Sequence, residues 1–164
     1  MIFTNTFVLG LMAEIKFIAD AMLGRLAKWL RILGYDTVYI KNITDTELIR
    51  LSIAECRMIL TRDTRLIKKR GVKNFLFIID DQFDAQLKQM VSELNISYPE
   101  NTFSRCIICN KRLFPLSKDA ACNIVPEYVC NTEDIFGRCP GCHRIYWQGT
   151  HYKEMERILR ELFG

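Results

Sequence analysis

Met58-Ile59-Leu60-Thr61-Arg62-Asp63 is a short apolar run closed by an aspartate, and the same figure recurs on both sides of it. Phe17-Ile18-Ala19-Asp20 precedes it and Phe75-Leu76-Phe77-Ile78-Ile79-Asp80-Asp81 follows. Short runs rich in Ile, Val and Phe read as buried strands. A helical pattern follows each of the three, which predicts a parallel sheet with helical crossovers. In such sheets ligand chemistry gathers outside the carboxyl ends of the strands. The recurrence therefore places several carboxylates along one edge of one sheet. Clustered carboxylates repel one another unless a cation holds them, so a divalent-metal site is the first functional expectation.

Outward from these runs, strand one covers Lys16 to Ala19 and helix one about Met22 to Leu33. In that helix Leu23, Leu26, Ala27, Leu30 and Leu33, with Trp29, make an apolar stripe stopped by Gly34. Asp36 to Ile40 alternates and reads as strand two. Thr44-Asp45-Thr46-Glu47 matches a capping box opening a helix that runs to about Glu55. Arg57 to Thr61 is strand three, and Asp63 to Arg70 reads as a short basic helix ended by Gly71. Asn74 to Ile79 and Phe83 to Leu94 continue as strand and helix, with Ile96-Ser97-Tyr98 available as a last edge strand. Composition shifts near Pro99-Glu100-Asn101-Thr102, which divides the chain into 14–99 and 102–164, the second part closing with a helix from Tyr152 to Phe163.

The 164 residues carry a net charge of +4, which suits a polyanionic partner without requiring one. The apolar start from Met1 to Ala13 has no basic segment and is too short to span a bilayer, so a floppy extension is expected, with Met12 an alternative start. No later apolar run has membrane length, which favours a cytoplasmic protein with no membrane partner. The oligomeric state is not legible.

Six of the seven cysteines come after residue 105, and an odd count with two Cys-x-x-Cys pairs fits metal binding in a reducing compartment better than a disulfide framework. Cys106-Ile-Ile-Cys109 and Cys139-Pro-Gly-Cys142 have the spacing that turns two thiolates toward one ion, and four thiolates make the closed shell of structural zinc. Residues 110–138 between the pairs exceed a usual ribbon linker, so an inserted loop is expected. Redox chemistry through Cys-x-x-Cys is the minor alternative. Cys122 and Cys130 read as small buried or loop residues, and Cys56 as core. His143, directly after a ligand, is a lesser candidate to displace one. His151 lies beside Tyr146, Trp147 and Tyr152, which either stack on unpaired bases or pack the ribbon against the first domain.

Asp20, Asp63 and the Asp80/Asp81 pair close strands, and Asp45 enters from the loop after strand two. Magnesium or manganese held by such oxygens can bind a scissile phosphate and activate water, so phosphodiester hydrolysis suits the set. Taken singly, Asp63 and Asp45 are explained equally well as helix-capping groups. Arg25, Lys28 and Arg31 recur down helix one, while Arg62, Arg65, Lys68, Lys69 and Arg70 crowd the end of strand three and the basic segment after it. Such groups can neutralise nucleic-acid phosphates, or form an ordinary solvated face.

Three segments carry a family resemblance: Asp20-Ala-Met-Leu-Gly-Arg-Leu-Ala-Lys-Trp-Leu-Arg-Ile-Leu-Gly-Tyr-Asp36, Thr44-Asp45-Thr46-Glu47-Leu48 and Ile59-Leu-Thr-Arg-Asp63. Together with Cys139-Pro-Gly-Cys-His-Arg-Ile-Tyr-Trp-Gln-Gly-Thr-His151, they resemble the Mut-seven C-terminal ribonuclease family, from about Lys16 to the C-terminus. The resemblance implies an α/β, PIN-like three-layer α/β/α fold with a central parallel sheet, plus a C-terminal zinc ribbon. It also implies a metal-dependent ribonuclease in which Asp20, Asp45 and Asp63 are the first three acids and bind magnesium or manganese. Many PIN domains place a fourth acid where this chain has Arg65, and Asp80 and Asp81 are the alternatives. Arg25, Lys28, Arg31 and Arg62 are then expected to position RNA, with zinc on Cys106, Cys109, Cys139 and Cys142 and the ribbon extending the RNA surface. The rival expectation is a non-catalytic RNA-binding adaptor that keeps a PIN-like core with a degraded site.

Overall fold

The computed structural model describes residues 15–96 and 101–163. Strands β1 (Phe17–Ala19), β2 (Thr37–Tyr39), β3 (Met58–Thr61) and β4 (Phe75–Phe77) form one sheet in the order β2-β1-β3-β4. Every neighbouring pair is parallel. The crossovers are α1 (Gly24–Ile32), entered through a 3-10 turn at Ala21–Leu23, and α2 (Asp45–Ala54), while α3 (Phe83–Leu94) follows β4. The chain leaves β1 toward β2 and then returns past it to β3, so right-handed crossovers put α1 and α2 on opposite faces. The core is built accordingly. Phe17, Ala19 and Leu60 pack with Leu26 and Leu30 of α1 and with Leu87 and Met90 of α3. Ile18 and Ile59 face the other way, onto Leu48 of α2 and Leu66. Covered on both faces, these strands need apolar residues at successive positions; the parallel sheet expected from the alternation forms, in the three-layer α/β/α order that the family resemblance implied.

Two local expectations change. The basic segment after β3 makes only a 3-10 turn at Leu66–Lys68, because Asp63 Oδ1 accepts the Arg65 amide at 2.7 Å and sets a side-chain turn in place of a helical start. The fourth strand stops at Phe77, and Gln89 of α3 takes over its edge: Nε2 donates to the Phe77 carbonyl at 2.8 Å and Oε1 accepts the Ile79 amide at 3.0 Å. Ile96 is buried but in no strand, while Ser97, Tyr98 and the Met1–Ala13 extension lie outside the described residues.

The second half contains β5 (Phe114–Leu116), α4 (Lys118–Cys122), α5 (Glu127–Thr132), β6 (Phe136–Arg138), β7 (Ile145–Trp147) and α6 (Thr150–Phe163). Its strands form an antiparallel sheet in the order β5-β6-β7. The two short helices are the inserted loop, and a Cys122–Cys130 disulfide, with Cα atoms 5.1 Å apart, joins them. Both cysteines, expected only as small buried or loop residues, are thus bridge residues. Cys56 is corrected: it is exposed, at φ 53 just past α2, where the chain turns away from the core. The last helix comes after the ribbon in sequence yet packs on the first core, with Leu159 fully buried among the α1 and α3 residues and Met155, Ile158 and Leu162 beside it. No helix among the described residues is long and apolar enough to cross a membrane.

Gly34 seats the second half on the first. It ends α1 at φ 90, and a β-carbon there would lie 2.5 Å from the Asn101 carbonyl oxygen. The Phe103 amide then donates to the Ile32 carbonyl at 2.6 Å, and Arg105 Nε to the Gly34 carbonyl at 2.8 Å.

Candidate functional site

The strand order reverses between β1 and β3, and a crevice at the carboxyl ends of such a pair is where open α/β sheets bind ligands. Asp20 and Thr61 meet there. The Asp20 amide extends the ladder by donating to the Leu60 carbonyl at 2.9 Å. Its Oδ1 accepts the Ala21 amide at 2.6 Å and its Oδ2 accepts the Thr61 hydroxyl at 2.7 Å. Thr61 Oγ1 in turn accepts the Asp63 amide at 3.0 Å, so one buried hydroxyl joins the two aspartate positions. The Asp63 carboxyl is held below the usual carboxylate range, chiefly by the hydrogen bond from the Arg65 amide.

The other acids stand differently. Asp45 opens α2 behind Thr44, whose hydroxyl accepts the Glu47 amide at 3.3 Å as the first half of the capping box. Its Oδ2 is ion-paired with Lys69 Nζ at 2.6 Å. Asp80 and Asp81 are exposed and turn toward Gln82, the first through its amide at 2.7 Å and the second through its side chain at 3.3 Å. They shape the entry into α3. Among the described residues the aspartates form no group of three close enough to share one ion.

Of the basic residues, Lys28 is exposed on α1, and Arg25 sits with its guanidinium 4.3 Å from the centre of the Phe83 ring. Arg62 is half-buried beside Asp63, and its buried Nε has no hydrogen-bond partner among the described residues. Arg31 does not belong to this edge. The helix runs antiparallel to the strands, so Arg31 in its last turn is at the opposite end of the sheet, only 4% exposed. Its Nε donates to the Thr37 carbonyl at 2.9 Å, and Nη1 to the Ile107 and Ile108 carbonyls at 2.9 and 2.8 Å. A guanidinium so enclosed has no free face for phosphate, and the expectation that it contacts RNA is corrected.

Those last two carbonyls belong to the Cys106–Cys109 knuckle. The ligand atoms of Cys106, Cys109, Cys139 and Cys142 all lie within 4.8 Å of one another. Cys106 and Cys142 sulfurs are 3.5 Å apart, and those of Cys109 and Cys139 3.2 Å. A tetrahedral thiolate shell around zinc needs sulfurs roughly 3.8 Å apart, so the set fits with a small expansion. Amides aim at the sulfurs: Cys109 N–H toward Cys106 Sγ and Gly141 N–H toward Cys139 Sγ, each at 3.4 Å. Each knuckle closes on a left-handed residue, Asn110 at φ 68 and His143 at φ 60, which leaves His143 exposed and outside the ligand group. Burial opposes ionisation of Cys106, but the Tyr146 hydroxyl at 3.0 Å and neighbouring amides outweigh it and hold the thiol low. Cys109 is pushed up, by burial first and then by the Cys139 sulfur.

Comparison with known protein families matches residues 15–159 to the Mut7-C RNAse domain. The chain belongs to this family. No curated protein and no solved structure matches it. The Mut7-C match runs through both the carboxylate edge and the four cysteines, so the two halves form one family unit despite their different architectures.

In this Mut7-C chain the first knuckle docks at the amino ends of the strands, where Asn110 Nδ2 donates to Asp36 Oδ1 at 2.7 Å. The four-cysteine cluster and the carboxylate edge therefore lie at opposite ends of the parallel sheet, and the first knuckle does not extend the carboxylate edge. Two residues near that edge, Thr61 and Tyr39, escaped the sequence reading, and Lys69, read there as one of a basic run, proves to be the ion-pair partner of Asp45. Thr61 was hidden inside a strand. Tyr39 left a trace: its hydroxyl donates to the Ala21 carbonyl at 3.0 Å, and a β-carbon on Gly24 would lie 2.8 Å from its ring. A glycine inside so strong a helical pattern was the available signal.

Proposed function

We propose that the protein is a metal-dependent ribonuclease that hydrolyses RNA phosphodiester bonds at the carboxyl edge of its parallel sheet. One observation carries the reading: within an RNAse-domain family, Thr61 ties Asp20 to the Asp63 backbone at the switch point of the sheet. Magnesium is commonly bound through one or two carboxylates plus substrate phosphates, so a fixed pair at a crevice suits it better than a closed cage. When bound, a magnesium or manganese ion supplies electrostatic stabilisation of the phosphate and a more acidic water. The protein's share is positioning. Each Asp20 oxygen already accepts one hydrogen bond and keeps further lone-pair capacity. Asp63 stays ionised through its Arg65 amide contact. The half-buried Arg62 and the exposed Lys28 and Arg25 would engage backbone phosphates. Zinc on the four cysteines gives a closed shell with no position for substrate, so its part is structural.

Asp45 supports the adaptor reading, because its Oδ2 is ion-paired with Lys69. Cleavage of single-stranded and structured RNA by Asp20→Asn and Asp63→Asn proteins tests the choice. Loss of cleavage in both variants and in EDTA is expected. Cleavage that survives either treatment sinks the catalytic assignment, and binding without any magnesium or manganese dependence selects the adaptor.

A further inference from the structure

We propose that the metal held by the four cysteines also orders the parallel sheet, through Arg31 and Asn110, which clamp the first knuckle onto the ends of α1 and β2. The inference does not depend on the ribonuclease reading.

Arg31 is the first half of the clamp. Ile107 and Ile108 are the two residues between the ligands Cys106 and Cys109, and one buried Nη1 holds both of their carbonyls. The same guanidinium anchors to Thr37 at the start of β2. Four thiolates around a divalent ion carry two net negative charges, and a buried cation behind the knuckle offsets them. Groups that orient ligands from behind in this way commonly set metal affinity by factors of about 10 to 100.

Asn110 is the second half. It is the first residue after a ligand and adopts the left-handed conformation with which the knuckle reverses direction. Its side chain works on the core in both senses: Nδ2 donates to Asp36 Oδ1 at 2.7 Å, and Oδ1 accepts the Thr37 amide at 3.0 Å. Asp36 Oδ1 also accepts from Arg57 Nη1 at 2.6 Å, and that nitrogen reaches the Phe17 carbonyl at 3.2 Å. The knuckle thus reaches Thr37, the first residue of β2, directly, and through Asp36 alone it reaches Phe17, the first residue of β1, and Arg57, the residue before β3. Without an ion the four sulfurs have little reason to stay together, and the loop between Cys106 and Cys109 is left with its contacts to Arg31 and the core, no longer backed by the ligands on either side. Release of that loop strands a buried arginine and a half-buried aspartate, so metal binding and sheet order stabilise each other by the same factor.

Two measurements on the full chain test the coupling. Cobalt(II) titration, read from its thiolate charge-transfer absorbance and followed by zinc competition, reports the affinity of the centre. Arg31→Met is expected to lower it about 10- to 100-fold, with Arg31→Lys recovering part of the loss. Unchanged affinity in Arg31→Met overturns the role of Arg31. Hydrogen exchange at the Phe17 amide, which donates to the Asp36 carbonyl at 2.8 Å across the start of β1 and β2, reports the sheet. Chelation of zinc is expected to speed it at least tenfold in the wild type. In Asn110→Gly, where glycine keeps the left-handed turn but has no side chain to clamp with, the response of the Phe17 rate to zinc should shrink several-fold, Arg31 being the contact that remains. Chelation that accelerates exchange only within residues 104–147, or an Asn110→Gly protein whose Phe17 amide responds to zinc as fully as the wild type, overturns the coupling. Neither readout involves RNA, so failure here leaves the ribonuclease reading standing, and the converse holds.

Discussion

The hydroxyl of Thr61 donates to Asp20 Oδ2 at 2.7 Å while accepting the amide of Asp63 at 3.0 Å, so a single side chain on β3 sets the geometry of the edge. Hydrogen bonds to charged groups are worth about 1.5–3 kcal/mol, which corresponds to roughly 10- to 100-fold in a rate. Thr61→Val should therefore lower the rate of RNA cleavage by about that factor with RNA affinity nearly unchanged, and Thr61→Ser should restore most of it. Single-turnover cleavage alongside filter binding checks the split; equal losses in both would mean that Thr61 matters for folding rather than for orienting Asp20.

The Asp45–Lys69 ion pair should govern how many carboxylates serve the edge. Both side chains are substantially exposed, so breaking the pair costs little stability, under about 1 kcal/mol. Lys69→Met frees Asp45 and is expected to tighten manganese binding several-fold, with a denaturation midpoint close to the wild type. Calorimetric titration with manganese decides it: weaker binding in the variant would show that Asp45 has no share in the ion.

How far the sequence carried this structure depends on the range of the forces involved. The parallel sheet was legible because three strands are apolar at consecutive positions and the second alternates, while a stripe of period 3.6 marks α1 and a capping box opens α2, all of them local signals. The four cysteines were legible because knuckle spacing is covalent geometry. The role of Arg31 was not, since helix periodicity placed it with Arg25 and Lys28 while its partners Ile107 and Ile108 lie far along the chain. Cys122 and Cys130 were obscured by the stronger Cys-x-x-Cys signal around them. Asp80 and Asp81 resembled Asp20 as strand-ending carboxylates, yet β4 stops short of them and both turn to Gln82 at the entry into α3.

Metal stoichiometry separates the two kinds of cysteine. One zinc per chain is expected for the wild type and for the Cys122→Ser/Cys130→Ser protein, and none for Cys106→Ser. The double variant should lose about 2–3 kcal/mol at most, because the bridge closes a short loop. Zinc measured by plasma emission against protein concentration, together with urea unfolding, checks both statements; zinc loss in the double variant would assign those cysteines to the metal.

Asp36 makes a pH prediction. Burial favours its neutral form, but hydrogen bonds from Arg57 and Asn110 outweigh that and hold its carboxyl below the usual range. In the unfolded chain it titrates near 3.9 or so. A depressed folded pKa contributes stability that is fully present above the unfolded value and is lost as pH falls through the folded one. The protein should therefore lose the Asp36 contribution below about pH 4, and Asp36→Asn should flatten that part of the curve. At neutral pH the same substitution leaves Arg57, 7% exposed, with Glu55 as its remaining anionic partner. Breaking a buried pair from one side costs about 3–5 kcal/mol, and the surviving Glu55 contact puts this case at the lower end. Urea unfolding between pH 3 and 8 gives both numbers. An Asp36→Asn protein whose acid limb matches the wild type would remove Asp36, and with it this contact between knuckle and sheet, from the account of acid stability.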